Sequence, residues 1–85
     1  IASAAEARAY WLHPLLGKRL KQCTQLVLAV EGKSAHDIFG SPDDLKFRSC
    51  MTLFKLAAPE EPVFDQALQR FYSGRADENT LRLLV

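Results

Sequence analysis

Leu16, Leu20, Cys23, Val27 and Val30 recur at alternating steps of four and three. That spacing fits one regular structure, an α-helix with a single apolar face. Lys18, Lys21, Gln22 and Gln25 fall on the opposite face. The helix is predicted to open at Pro14, a residue suited to the first helical position, and to run to about Val30. Glu31-Gly32-Lys33 then ends it, with Gly32 as a left-handed cap. Gly17 falls in the first turn, where glycine costs less than in mid-helix. An apolar stripe must be buried against other elements, so the rest of the chain has to supply them.

It supplies more helices. Ser3 and Glu6 have capping-box spacing ahead of an Ala-rich helix over about residues 4–12, which ends in Tyr10, Trp11 and Leu12. His13-Pro14 interrupts it, because the residue before proline avoids helical torsions. Ser34 and Asp37 repeat the capping pattern around one turn, 35–39, which Gly40 closes. Ser41-Pro42-Asp43-Asp44 reads as a helix start with a cap hydroxyl, a first-position proline and acids at the positive dipole end. The predicted helix runs from Pro42 to about Ala57. Phe47, Cys50, Met51, Phe54 and Ala58 line one face, with Leu53 and Ala57 beside it. Pro59-Glu60-Glu61-Pro62 stops it, and Pro62 opens another helix whose Val63, Phe64, Ala67, Leu68 and Phe71 face inward. Tyr72-Ser73-Gly74 ends that one, and Asp77 can cap a last piece from about Glu78.

The expected fold class is all-α, a compact array of about five short helices. Ala and Leu supply 24 of the 85 residues and Val, Ile and Thr only 9, which favours helix over sheet. Every linker is short, so residues 1–85 read as one helical domain. A chain of this length buries only about 60% of its unfolded surface. Ile1 stands where a Met is usual, and Leu81, Leu83, Leu84 and Val85 stay apolar to the end. The expectation is therefore part of a slightly larger helical domain, truncated at the amino end.

The formal charge is +1, too close to neutral for a protein that holds nucleic acid by charge. No uncharged run approaches the roughly 20 residues of a membrane span. Two cysteines are too few for a disulfide framework, which points to a cytoplasmic protein with two buried thiols. No catalytic, cofactor-binding or metal motif emerges. His13, His36, Cys23 and Cys50 have the atoms of a zinc site but not its short ligand spacing. His13 is expected to cap a helix and His36 to be exposed. The four glycines form no phosphate-cradling loop. Lys18, Arg19 and Lys21 read as a solvated face, and Tyr10 and Trp11 as packing residues.

One polar row stands out. Asp43, Lys46, Ser49 and Thr52 follow at steps of three and form a ridge along the Pro42–Ala57 helix. It can anchor a polar ligand or partner, with Lys46 as the charged donor. The plainer reading, preferred because exposed pairs of this kind are common and weak, is a solvated Asp–Lys pair plus two hydroxyls bonded back to carbonyls.

The runs Ala5-Glu6-Ala7-Arg8-Ala9-Tyr10, His13-Pro14-Leu15-Leu16-Gly17, Ile38-Phe39-Gly40-Ser41-Pro42-Asp43-Asp44-Leu45-Lys46 and Ser49-Cys50-Met51-Thr52-Leu53-Phe54 resemble a bacterial family catalogued as domain of unknown function 1810. The resemblance covers essentially all 85 residues. It implies an all-helical fold and an aromatic amino-terminal segment, with Trp, Phe and a Pro-Gln pair, that this chain does not contain. It implies no activity, substrate or cofactor. Cys50 stands where the family usually has a second Ser. Some members carry the label calpastatin, but inhibitors of that name are disordered, and this composition forms a core.

Two functional readings follow. The first is a helical interaction or structural module that packs apolar faces against its own missing segment, a second copy or another protein, with an exposed apolar patch as its mark. The second is a small enzyme or ligand-binding domain whose site includes the Asp43–Lys46–Ser49–Thr52 ridge.

Overall fold

Ser3 caps the first helix, as its spacing to Glu6 predicts: its hydroxyl accepts the Glu6 N–H at 3.2 Å. The computed structural model describes residues 3–84 and traces six α-helices there. They are α1 (Ala4–Leu12), α2 (Leu16–Leu28), α3 (Ala35–Phe39), α4 (Asp43–Ala57), α5 (Val63–Tyr72) and α6 (Glu78–Leu84). All six segments read from the sequence are helices, the single turn α3 and the last piece α6 included, against the expected count of about five. The readings made at Ile1 and Val85 lie outside the described residues.

The caps explain most boundaries. Ser34 and Asp37 form a full capping box on α3, and Gly40 closes it at φ 72°. His13 caps α2: its Nδ1 accepts the N–H groups of Leu15 and Leu16, both at 3.2 Å. Pro14 therefore lies in the turn ahead of α2 and is not its first helical residue. At the far end α2 stops at Leu28, with Ala29 as the cap, two residues short of the expected Val30. Gly32 has φ 72° but sits three residues beyond that cap. Arg70 of α5 reaches across and donates to the Leu28 and Val30 carbonyls, satisfying acceptors that a helix end leaves open. On α4, Pro42 is itself the N-cap and the Ser41 hydroxyl makes no capping bond, so the predicted Ser41 cap is not formed.

The longest helix, α4, lies at the centre. It packs on α1, α3, α5 and α6, while α2 packs on α1 and α5. The core is Ala7, Met51, Phe54, Ala57, Ala58, Val63, Phe64, Ala67 and Leu68. Phe64 is wholly buried, edge-on to Trp11 at 5.3 Å and tilted against Phe54 at 5.6 Å. Tyr10 adds a second ring to Phe54 at 5.6 Å. Each such pair contributes about 1 kcal/mol beyond its area burial. The inward faces read from α4 and α5 are those observed. Phe47, Cys50, Leu53 and Phe71 are half-buried at the edges.

The face of α2 needs correction. Cys23 is exposed and Thr24, 2% exposed, is buried in its place. The helix meets α1 and α5 along Gly17, Leu20 and Thr24, a run of steps of three and four rotated from the predicted stripe. Thr24 tolerates burial because its Oγ1 donates to the Leu20 carbonyl at 2.9 Å. Gly17 is required for a tertiary reason: a Cβ there would sit 1.9 Å from the Trp11 carbonyl oxygen. Ion pairs tie the periphery. Arg8 meets Glu60 and also donates to the Ala57 carbonyl. Lys21 meets Glu61 at 2.7 Å and Lys55 meets Asp65 at 2.9 Å. Lys18 and Arg19 face solvent, but Lys21 is half-buried by its pair.

Candidate functional site

The ridge on α4 divides into two halves. Asp43 and Lys46 pair loosely at 3.8 Å, and both side chains are mostly exposed. Ser49 and Thr52 turn instead toward α6. Thr52 is 1% exposed. Its hydroxyl donates to the Arg48 carbonyl at 2.8 Å and accepts the Asp77 N–H at 2.8 Å. Ser49 Oγ lies 2.6 Å from Thr80 Oγ1. Thr80 spends its one hydroxyl proton on Asp77 Oδ2 at 2.7 Å, so Ser49 is the donor in the Ser49–Thr80 bond.

Asp77 anchors this network. Its Oδ2 accepts both the hydroxyl and the N–H of Thr80, capping α6 as its position predicts. Those bonds, and then the nearby Arg48 and Arg82 charges, hold its carboxyl below the ordinary carboxylate range. Arg48 completes the attachment. Its Nε donates to the Arg75 carbonyl at 2.8 Å and its Nη2 to the Ala76 carbonyl at 3.2 Å. The guanidinium also lies over the Tyr72 ring, 5.6 Å from its centroid. The Tyr72 hydroxyl donates to the Asp44 carbonyl at 2.5 Å. Burial, and then the Asp44 charge, push its pKa up to about 12.

Sequence reasoning placed Ser49 and Thr52 on one row and Asp77 at a helix start. It missed Arg48 and Thr80 as their partners. The step of three from Asp77 to Thr80 is a cap signal that could have drawn Thr80 in. Nothing local ties residue 48 to residues 75 and 76.

The other candidate groups stay apart. His36 is exposed, as expected, with Nδ1 3.4 Å from Asp44 Oδ2. His13 is committed to its cap. Both cysteines are free. Cys50 is half-buried, and burial raises its thiol pKa. No group of three or more His, Cys, Asp or Glu side chains converges as metal ligands among the described residues. No buried side-chain nitrogen or oxygen among them lacks a hydrogen-bond partner. Among the described residues no helix is long and apolar enough to cross a membrane. The network can therefore hold α6 against α4 and present charged side chains around that junction.

Comparison with known proteins places the chain among uncharacterised relatives. The family model described as "Protein of unknown function (DUF1810)" matches residues 1–84. The crystal structure of the conserved hypothetical protein Rv1873 from Mycobacterium tuberculosis is similar, with a TM-score of 0.96 and 49% identity. The likeness covers 99% of this chain and 60% of that one, so the chain spans about three-fifths of that neighbour's length. No protein of curated function matches at a significant level.

Proposed function

The chain belongs to the DUF1810 family, whose function is unknown, and we propose that it is a helical interaction or structural module. The observation that carries this reading is the set of large apolar side chains left in solvent by well-formed helices. Leu12 is 62% exposed and Leu26 70%, and Leu15 is also exposed. Leu15, at the N-cap of α2, and Leu26 are eleven residues apart, three helical turns, so they lie on the same outer side of that helix. Exposed apolar side chains that gather into one patch mark a contact surface.

The ridge serves the same reading. Ser49 and Thr52 hold α6, and Asp43 and Lys46 remain open as polar contacts for a partner. The unit acts as one helical domain within a somewhat larger helical protein, a view supported by the share of the mycobacterial neighbour that it matches. Free thiols at Cys23 and Cys50 suit a reducing compartment such as the cytoplasm.

Sedimentation at rising protein concentration tests the module reading, with a second copy as the first partner to examine. Association that Leu15→Lys plus Leu26→Lys abolishes supports it. A parent chain that stays monomeric, and whose double variant retains every contact seen with cellular proteins, removes the outer face of α2 as an interaction surface.

A further inference from the structure

Arg48, Arg75 and Arg82 line one small polar cleft of about 330 Å³, where α4 meets the segment leading into α6. Asp77, Glu78 and Asn79 complete its lining. Three guanidinium groups against two carboxylates leave an excess of one positive charge. The carboxylates are not equivalent to the arginines in what they have free. Asp77 Oδ2 is already occupied by the Thr80 N–H and hydroxyl. Glu78 is exposed, and its side chain can swing into solvent.

The arginines keep donors to offer. Arg48 is held rigidly by its bonds to the Arg75 and Ala76 carbonyls, which engage Nε and Nη2 and leave Nη1 uncommitted. Arg82 is held by one bond from its Nη2 to Asn79 Oδ1 at 2.6 Å, which leaves the Asn79 amide N–H groups free to donate as well. Among the described residues, the Arg75 side chain is exposed and takes part in no ion pair or hydrogen bond. Fixed planar guanidinium groups match the geometry of carboxylate and phosphate oxygens.

We propose that this cleft binds an oxyanion, the carboxylate or phosphate group of a small organic molecule. The site is open, so solvent weakens each contact and the expected affinity is modest.

Titration calorimetry at constant ionic strength tests it, with inorganic phosphate in one arm and citrate in the other. Saturable binding in either arm supports the site, and the stronger arm names the source of the oxyanion. Arg75→Gln and Arg82→Gln should each weaken binding about five-fold, and Glu78→Gln should strengthen it about two-fold. Lys18→Gln, on the far face of α2, should change nothing. No saturable heat in either arm overturns the proposal. So does binding that survives the Arg75→Gln plus Arg82→Gln double variant, since it then reflects general screening. Circular dichroism checks that the variants remain folded, and Arg75, whose side chain makes no hydrogen bond or ion pair among the described residues, keeps the test sound if Arg82 does not. Sedimentation of the same variants should match the parent, so failure here leaves the module reading intact.

Discussion

The Ser49 hydroxyl of α4 donates to the Thr80 hydroxyl of α6 at 2.6 Å, and Thr80 passes its own proton to Asp77. Among the described residues α6 packs mainly on α4. Two hydroxyls on one helix and one carboxylate cap on the other therefore decide whether α6 stays docked. Thr52→Val keeps the shape but strands the Asp77 N–H, which should cost about 2 kcal/mol. Ser49→Ala leaves Thr80 bonded to Asp77 and should cost only about 1 kcal/mol. Hydrogen exchange should show faster loss of protection in α6 than in α5 for both variants. Equal loss throughout the chain would contradict a local latch.

Gly17 faces the Trp11 carbonyl so closely that a Cβ has no room. Gly17→Ala must push the end of α1 off α2, at a cost of about 3 kcal/mol. Gly32 offers a control. Its φ is 72° but nothing lies near its missing Cβ, so Gly32→Ala should cost about 1 kcal/mol, from backbone strain alone. Chemical denaturation of both variants gives the comparison, and a larger loss at Gly32 would refute the crossing contact.

Stability should fall at both extremes of pH, for separate reasons. Asp77 has a lowered folded pKa, so its contribution is present above the ordinary carboxylate value and is lost as pH falls through the folded value. Asp77→Asn should flatten the acid limb of a plot of melting temperature against pH. Tyr72 has a raised folded pKa of about 12. Its contribution is complete below the ordinary tyrosine value near 10 and is lost as pH rises toward 12. Tyr72→Phe should remove that alkaline loss, while also costing the bond to the Asp44 carbonyl at neutral pH.

The two cysteines should differ in reactivity. Cys23 is exposed on the outer side of α2, whereas Cys50 is half-buried with its thiol pKa raised. Iodoacetamide at neutral pH should label Cys23 first and Cys50 only as the chain unfolds. Mass spectrometry of digested samples reads this directly, and equal labelling of the native chain would contradict the placement of α2.

Local signals carried the helices far. The caps at Ser3, His13, Ser34 and Asp77 were legible because each acts within three residues of its own backbone partners. The inward faces of α4 and α5 were legible because Phe54, Phe64 and Leu68 sit on wide apolar stripes that no small rotation can expose. On α2 the misplaced residue was Cys23: its sequence neighbour Thr24 is buried instead, while Leu16, Leu20, Val27 and Val30 are half-buried as their spacing predicts. In the candidate site, Ser49 and Thr52 stood out as a polar row, yet their partners 25 and 31 residues away gave no sign of themselves.

By itself, then, the sequence determined roughly where most helices start and stop, that no strands compete with them, and which large apolar residues of α4 and α5 turn inward. Those are consequences of torsional preference and 3.6-residue periodicity, which act over a few residues. Tertiary structure decided that Gly17 must have no side chain, that Thr24 and not Cys23 turns inward, that Ser49 and Thr52 bind α6, and that three arginines share a cleft. Each of these depends on how two helices cross. Crossing is set by the packing of Ala7, Phe54, Phe64 and Ala67 in the shared core, a collective balance of volumes that no single segment encodes.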